Sequence, residues 1–314
     1  MSWGERFHSA AWMEREERLL WPQSWLLLGR PPRAPGQWRG FSHGRHGVLL
    51  SRGQQLHAFR DSCPHRGTQL CGEGEGEGPI RCPYHGWTFD ADGQPCAGEA
   101  PLRPLAVQER WGFAWVCPNE PAPGDFEALD PYLSHLESWH ISADLTVPLR
   151  CNWKLSVEVH LEGLHLPTLH PEIAHWVDWA GARARSIGRH GLLQVPPKDP
   201  RIGANTLVQV FPNVQFNLHP QQALVFRHRP HPTDPGRCFF DQLVLVPGPQ
   251  PAPPHEVVGI DDPRIGPVTA ADLRIAERLS AGLLGGGPER PAWTESEGLV
   301  RGFHESIERA LGVS

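Results

Sequence analysis

Two short segments of the chain each pair a cysteine with a histidine. Cys63 is followed by His65, and Cys82 is followed by His85, with 16 residues between the segments. One thiolate and one imidazole from each segment would give two sulfur and two nitrogen ligands, a set that suits zinc or an iron–sulfur cluster. A proline follows each cysteine, fixes φ and removes one N–H, which stiffens the loop. These residues therefore predict a metal centre.

Two kinds of metal centre use this ligand set. In a [2Fe-2S] cluster of the Rieske type, two cysteines bind one iron and two histidines bind the other, and the centre works in electron transfer. A structural zinc site also takes two cysteines and two histidines, but it usually keeps each residue type together in the sequence. Because each segment here carries one of each type, the cluster is our prediction, and zinc is the alternative.

A second set of candidate ligands begins after residue 152. The sequence predicts a helix from Trp153 on which Glu162 and His165 share one face. Pro167 disfavours helical geometry at the residue before it, so we expect the helix to end near His165 and His170 to fold back toward it. Two histidines with one carboxylate form the facial triad of non-heme Fe(II) sites, which leaves coordination positions open.

His160 falls on the opposite, apolar side of the same predicted helix, with Trp153 and Leu164. A histidine in such a stripe is more often a core residue with satisfied nitrogens than a ligand. We therefore expect His160 to be part of the core.

The third ligand of the second set must come from another segment, and Asp272 is our candidate. In the predicted helix around it, Asp272 lies in the apolar stripe, and a carboxylate directed at a core is costly unless it is paired or bound to metal. The alternative is that Thr269 and Asp272 form a capping box at the start of this helix. Asp261 and Asp262 are reserve candidates.

The elements that must position these residues divide into two groups. From about residue 37 to residue 119, short apolar runs alternate with turn signals, which predicts small antiparallel sheets. Prolines at 121, 123, 131 and 148 indicate a linker region, and helices then flank three predicted strands at residues 206–216, 223–229 and 238–246. We expect an N-terminal helix and an all-β metal-binding domain at residues 1–145, and an α+β domain at residues 146–314.

Composition excludes several classes of protein. The 314 residues carry 29 Lys and Arg against 35 Asp and Glu, a net charge of −6, with no dense basic block, which argues against a nucleic-acid partner. The first 30 residues contain neither a secretory signal nor a membrane span, so we expect a cytoplasmic protein. The cysteines outside the two segments are expected to be reduced, buried thiols.

The motifs also carry a family resemblance. The segments 63–67 and 82–87 resemble the Rieske domain of the ring-hydroxylating, or Rieske non-heme iron, oxygenases, and residues 24–30 resemble the start of their large (α) subunit. Asn152-Trp153-Lys154 with Glu162, His165 and His170 resembles the family's segment in which an acid precedes the first histidine by three residues and the second follows by five. The resemblance implies an N-terminal all-β Rieske [2Fe-2S] domain, followed by a catalytic domain whose antiparallel sheet is packed by helices in a helix-grip arrangement.

The resemblance assigns roles to the candidate residues. It implies that the cluster is bound by Cys63, His65, Cys82 and His85, and that a mononuclear Fe(II) is bound by His165, His170 and Asp272. Glu162 stands where the family usually has an aspartate that links the Rieske histidine of a neighbouring subunit to an iron histidine. The change to glutamate keeps the charge but alters the reach of the side chain.

The resemblance further implies partners and a reaction. Electrons from NADH would pass through a separate reductase, with or without a ferredoxin, to the cluster and then to the iron, where O2 is activated. The chain has no Gly-x-Gly-x-x-Gly motif and no plant-type ferredoxin cysteine set, so the electron source must be another protein. The family commonly forms homotrimers that place one subunit's cluster beside the next subunit's iron.

The expected substrate is a small organic molecule, aromatic in the first instance, that is hydroxylated or oxidatively demethylated by a mono- or dioxygenase. The residues that could line its pocket are Phe211, Asn213, Phe216 and Phe226. The alternative is a quaternary ammonium compound of the carnitine or betaine type, which Glu162 favours by resemblance and for which Trp176 and Trp179 could supply cation–π faces. From other classes, the alternatives are a Rieske electron-transfer protein without oxygenase activity and a zinc-stabilised ligand-binding protein.

Overall fold

The computed structural model describes residues 2–119, 126–199, 201, 203–249 and 251–313. The chain forms two compact units. The first unit is Glu17–Gly124, and the second unit combines Met1–Glu16 with Asp125–Ser314. The second unit is therefore discontinuous in sequence. The division predicted at residue 145 stays a prediction, and the N-terminal residues up to Glu16 belong to the unit that contains the second sheet.

The first unit is built of β-strands. Its seven-stranded sheet has the order β1-β10-β9-β4-β3-β2-β5, and a three-stranded sheet has the order β6-β7-β8, with all neighbours antiparallel. The strands are β1 (Leu26–Gly29), β2 (Gln37–His43), β3 (His46–Arg52), β4 (Leu56–Arg60), β5 (Glu75–Glu77), β6 (Ile80–Arg81), β7 (Thr88–Phe89), β8 (Pro95–Ala97), β9 (Pro104–Arg110) and β10 (Phe113–Cys117). The predicted small antiparallel sheets are confirmed.

The second unit contains an eight-stranded sheet with the order β12-β13-β14-β15-β16-β17-β11-β18. All neighbours are antiparallel except β11 and β18, which are parallel. The strands are β11 (His140–Leu149), β12 (Arg183–Ile187), β13 (His190–Val195), β14 (Asn205–Val210), β15 (Val214–His219), β16 (Gln222–Pro230), β17 (Cys238–Val246) and β18 (His255–Val257).

Helices accompany this sheet. They are α1 (Glu5–His8), α2 (Ala10–Leu19), α3 (Asp130–Leu133), α4 (Trp153–Glu158), α5 (Leu166–Leu169), α6 (Pro171–Ala174), α7 (Pro267–Leu284) and α8 (Gly298–Leu311). Short 3-10 turns lie at Trp21–Gln23, Phe126–Leu129, Ser134–Ser138 and Glu295–Glu297. The predicted α+β architecture, with an antiparallel sheet and helices, is confirmed. No helix in the described residues combines the length and apolar character needed to cross a bilayer.

A buried ion pair ties the N-terminal residues to α4. Glu16 Oε1 lies 2.5 Å from Lys154 Nζ, and the side chains are 3% and 1% exposed. The indole N–H groups of Trp12 and Trp153 also donate to Glu16, at 2.9 and 3.0 Å. Two charges taken out of water need such full pairing, because an unpartnered buried charge is strongly destabilising.

Three predictions about the second unit were wrong. The helix predicted to run from Trp153 to near His165 ends at Glu158, and the N–H groups of residues 160 and 161 donate to carbonyls three residues earlier. Gly163 then lies against the ring of Trp179, so closely that a Cβ would clash with it. The strand predicted at 206–216 is two strands, β14 and β15. Pro148, which was predicted to mark a linker, lies inside β11.

Candidate metal centres

The two cysteine–histidine segments of the first unit fold into matching loops. In each loop the cysteine N–H donates to the carbonyl five residues later, at 2.8 Å, and the cysteine carbonyl accepts from the N–H of a glycine four residues later. These glycines, Gly67 and Gly86, have φ of 80° and 74°, a left-handed conformation that glycine adopts without strain. The local sequence alone therefore shapes both loops.

The loops turn their cysteines inward and their histidines outward. Cys63 and Cys82 are buried in a core cluster, whereas His65 and His85 are exposed. The two imidazole rings lie with centroids 4.8 Å apart, and the ring of Trp87 stacks on His65. The loops thus present two interior sulfur ligands and two surface nitrogen ligands.

The surroundings of the two thiols favour ligand chemistry at Cys82. Burial raises the pKa of Cys82, but hydrogen bonds from the N–H groups of Tyr84 and His85 to its sulfur outweigh that effect and lower the pKa. Burial raises the pKa of the neighbouring Cys63. The thiolate is the form that binds metal, so N–H groups directed at sulfur prepare the loop for it.

The positions of these four residues distinguish the cluster from zinc. One tetrahedral zinc, with bonds of about 2.0–2.3 Å, would bring all four ligand atoms within about 4 Å of one another. In the described part of the chain, three or more potential ligand atoms gather within 4.8 Å at His165, His170 and Asp272, and not at the two loops. A cluster with two irons separates its cysteine ligands from its histidine ligands. The loops fit a [2Fe-2S] cluster, and the zinc alternative is not supported.

The second candidate centre lies in the second unit, where α5 and α7 meet. His165 precedes α5, His170 follows it, and Asp272 lies in the second turn of α7. His170 Nε2 is 2.7 Å from Asp272 Oδ1, and His165 Nε2 is 3.5 Å from the same oxygen. The structure therefore brings these three predicted residues together.

The carboxylate of this set is buried and charged. His170 is 1% exposed and Asp272 is 5% exposed. Burial alone would raise the pKa of Asp272, but the side chains of His160 and His170 outweigh it and lower the pKa to about 2. An anion between two imidazoles, away from water, suits a divalent cation.

The capping alternative for Asp272 was wrong. The N-cap of α7 is Gly266, so Thr269 lies inside the first turn, and the helix start has no side-chain cap. The reserve candidates have other partners, because Asp261 pairs with Arg274 and Asp262 pairs with Arg264.

Glu162 contacts the far side of the first histidine ring. Its Oε1 lies 2.5 Å from His165 Nδ1, and its Oε2 accepts the N–H of Leu164. Burial lowers the pKa of His165, but the hydrogen bond and charge of Glu162 outweigh it and raise the pKa. With Nδ1–H donated to the carboxylate, Nε2 is the atom that faces Asp272. A carboxylate that fixes the tautomer of a ligating histidine is the usual outer contact of a metal site.

His160 is the residue that the sequence analysis misplaced. Its Nδ1 lies 3.5 Å from Asp272 Oδ2, and its side chain is 6% exposed. Its Nε2 is buried and has no hydrogen-bond partner among the described residues. The expectation of a satisfied core histidine on the opposite face was wrong, because α4 ends at Glu158 and the helical phase does not reach residue 160.

The predicted pocket residues are only partly gathered at this centre. Phe226 lies beside His160, with ring centroids 5.0 Å apart. Phe240, which was not among the predicted residues, also lies beside His160, with ring centroids 6.0 Å apart. Asn213 donates from Nδ2 to the carbonyl of His228, a structural contact within the sheet. Phe211 and Phe216 are buried, Trp176 is half exposed, and Trp179 packs on Gly163.

Comparison with protein families matches both centres. The family model described as Rieske [2Fe-2S] domain matches residues 27–107, which include both loops. The family model described as ring hydroxylating alpha subunit (catalytic domain) matches residues 136–207 and 185–312, which include the second centre. The chain belongs to the ring hydroxylating alpha subunit family. The resemblance drawn from the motifs is thereby confirmed, together with the order of the two parts of this alpha subunit.

Curated relatives of this alpha subunit include oxygenase subunits. The glycine betaine monooxygenase oxygenase subunit of Chromohalobacter salexigens is 32% identical over 179 residues, which are 50% of this chain and 40% of that protein. The carnitine monooxygenase oxygenase subunit of Acinetobacter pittii is 27% identical over 192 residues, which are 54% of this chain and 52% of that protein. The matched region thus spans about half of each relative or less.

Solved structures share the fold of this alpha subunit over nearly its whole length. A quaternary ammonium Rieske monooxygenase in complex with L-carnitine superposes with a TM-score of 0.82 at 21% identity, over 98% of this chain and 94% of the other. A variant of naphthalene 1,2-dioxygenase bound to phenanthrene gives a TM-score of 0.77 at 17% identity, over 99% and 92%. At such identities the likeness concerns the fold.

Proposed function

We propose that this alpha subunit is a Rieske-type oxygenase. It uses electrons from a partner reductase to activate O2 at a non-heme Fe(II) and oxidises a small organic substrate. The observation that carries the proposal is the convergence of His165, His170 and Asp272, of which His170 and Asp272 are buried. A pure electron carrier would need only the two loops of the first unit and would have no use for this second set.

The two loops hold the cluster in this proposal. One iron is bound by the sulfurs of Cys63 and Cys82, and the other by the imidazoles of His65 and His85. The cluster supplies single electrons. The exposure of both histidines supports this role, because it leaves the imidazole edge of the first unit open to an electron donor or acceptor.

The second centre binds Fe(II) through His165, His170 and Asp272, and leaves coordination positions open for dioxygen and substrate. The iron supplies the O2 chemistry. Asp272 contributes the negative charge, and its burial with His170 keeps water away from that side of the centre. Glu162 fixes the ring of His165 through Nδ1 and, by family resemblance, links it to a cluster histidine of a neighbouring subunit in a homotrimer. The contact of Glu162 with His165 supports this assignment.

We infer a quaternary ammonium compound as the substrate class and monooxygenation as the reaction. Two considerations support this choice. The relatives named above are glycine betaine and carnitine monooxygenase subunits, and by family resemblance Glu162 replaces the usual aspartate. An aromatic substrate is the second candidate, favoured by the match to the ring hydroxylating catalytic domain.

The proposed partners are a separate NADH-dependent reductase, with or without a ferredoxin, and two further copies of the chain. Cytoplasmic localisation and the functional division near residue 145 are parts of the same proposal.

The proposal is tested with the full chain produced anaerobically with iron and sulfide. We expect about three irons per chain, two of them in the cluster, together with acid-labile sulfide. With a chemical reductant, O2 uptake should depend on substrate in a panel of glycine betaine, carnitine, choline and simple aromatic acids. Labelled O2 should place oxygen in the product or in released formaldehyde.

The His170→Ala variant is the matched control. It should keep the cluster spectrum and lose substrate-dependent O2 uptake. A wild-type chain with the cluster but without bound Fe(II) at the second centre would replace the proposal with the electron-carrier alternative. A preparation without acid-labile sulfide would refute it entirely.

A further inference from the structure

We propose that His160 is a positioning residue of the iron site: its Nδ1–H holds the outer oxygen of Asp272, so that the inner oxygen stays directed at His165 and His170. The inference rests on the proposed Fe(II) site. It assigns to His160 a task that neither the family motif nor the sequence pattern suggested.

The two oxygens of Asp272 face different neighbours. Oδ1 lies 2.7 Å from His170 Nε2 and 3.5 Å from His165 Nε2, whereas Oδ2 lies 3.5 Å from His160 Nδ1. An ionised carboxylate only accepts hydrogen bonds, so the proton of His160 belongs on Nδ1, which faces Oδ2 in a charge contact that is longer than an ordinary hydrogen bond. A donor on the outer oxygen fixes the rotation of the carboxylate about its last torsion angle, which is otherwise broad.

The ring of His160 is itself held by packing. Its centroid lies 5.0 Å from that of Phe226, 6.0 Å from Phe240 and 5.9 Å from His228. His228 is fixed in turn, because its Nδ1 contacts Ser156 Oγ at 2.8 Å and its Nε2 contacts Gln215 Oε1 at 3.0 Å. The strands β16 and β17 thus provide a rigid wall against which His160 can position a neighbour.

The polar atoms of His160 argue against a purely structural role. A phenylalanine would pack equally well between Phe226 and Phe240, whereas a histidine brings two nitrogens into a buried place at a cost in desolvation. Nε2 has no hydrogen-bond partner among the described residues, so the contact with Asp272 is what compensates the burial. His160 is also not a fourth ligand, because it lies outside the set whose ligand atoms approach within 4.8 Å.

The test compares two substitutions at residue 160 by Fe(II) affinity. Affinity is measured anaerobically, by competition with a coloured chelator, on the cluster-loaded chain. His160→Phe keeps the ring and its packing but removes the nitrogen, and it should weaken Fe(II) binding by about 10–100-fold, the usual effect of losing an outer hydrogen bond to a ligand. His160→Asn places an amide N–H close to the position of Nδ1 and should recover most of the affinity, although it loses packing.

His190→Asn is the matched control. His190 is a buried histidine of β13, and its Nδ1 accepts the N–H of Phe211 at 3.0 Å. The control should change thermal stability and leave Fe(II) affinity at the wild-type value. Should His160→Phe lose the cluster or fail to fold, His160→Gln takes its place, because its longer amide reaches toward the Nε2 position and not toward Asp272.

A structural role predicts the reverse order. His160→Phe would then bind Fe(II) like the wild type, and His160→Asn would be the weaker variant, which would overturn the inference. If the wild-type chain itself binds no Fe(II) at this centre, the proposed function fails. If His170→Ala loses the iron while His160→Phe keeps it at full affinity, only the present inference fails.

Discussion

The replacement of Glu162 by glutamine separates two tasks of one carboxylate. Glu162 Oε1 lies 2.5 Å from His165 Nδ1, and the side chain is 16% exposed, so the contact is a short, largely buried hydrogen bond to a charged group. Such bonds contribute about 1.5–3 kcal/mol net. Because the amide keeps one acceptor oxygen and loses only the charge, we expect the loss of about half of this value, about 0.8–1.5 kcal/mol, which corresponds to an affinity for Fe(II) that is weaker by about 4- to 13-fold.

The second task is tested at saturating iron, where the loss of affinity no longer matters. The reduced cluster is mixed with O2 and substrate, and its reoxidation is followed by absorbance. We expect the Glu162→Gln variant to retain the cluster and, with excess Fe(II), a full second centre. It should reoxidise the cluster far more slowly, because it lacks the charge that we propose to link the two centres. Glu162→Asp keeps the charge and should be closer to the wild type in this assay.

Two results would contradict this reasoning. Unchanged Fe(II) affinity would show that Glu162 does not support His165 as a ligand. If the variant reoxidised its cluster at the wild-type rate at saturating iron, the carboxylate would have no part in linking the centres. The main support for the proposed homotrimer would then be lost.

Three further predictions concern the two centres and the sheet. His170→Ala should lower the iron content by about one third and leave acid-labile sulfide unchanged, as measured by chemical analysis; an intact second centre would contradict the ligand assignment. Cys82→Ser should remove the cluster and its visible absorbance, while Fe(II) still binds at the second centre, and retained absorbance would exclude Cys82 as a ligand. Burial, with a smaller contribution from Arg189, lowers the pKa of His190 from 6.5 to about 3. The unfolded chain therefore binds one more proton between these values, so stability is complete above about pH 6.5 and falls as the pH is lowered, by about 2 kcal/mol at pH 5. His190→Asn should flatten this part of the stability curve in urea unfolding from pH 7.5 to 5, and an unchanged slope would show that another group is responsible.

The first centre could be predicted from the sequence because its geometry is local. Each loop is closed by hydrogen bonds within six residues, and glycines with positive φ occupy the same position after Cys63 and Cys82. Spacing and residue type therefore determine most of the arrangement. The residues of the second centre could also be predicted, because His165, His170 and Asp272 have the chemistry of a facial triad. The helix that carries Asp272 could be predicted because its apolar residues recur at helical spacing.

The path of the chain between α4 and α5 could not be predicted in the same way. Periodicity continues through residues 159–165, but the helix ends at Glu158, and Gly163 then packs against Trp179, a contact that no short window of sequence contains. The position of His160 depends on this break, so its contact with Asp272 was not foreseeable either. The grouping of α1 and α2 with the second sheet likewise depends on Glu16 and Lys154, which are 138 residues apart.

That buried pair has a consequence for the order in which the protein is made. Glu17–Gly124 emerges from the ribosome before Lys154 does, so the strands around the cysteine loops can assemble while Glu16 still lacks its partner. Until then the carboxylate of Glu16 and the indole of Trp12 stay in water. The entropy cost of bringing Glu16 and Lys154 together rises only with the logarithm of the number of residues between them. The nascent chain can therefore load iron and sulfide into its first half early, and the N-terminal helices join the later half only when α4 emerges.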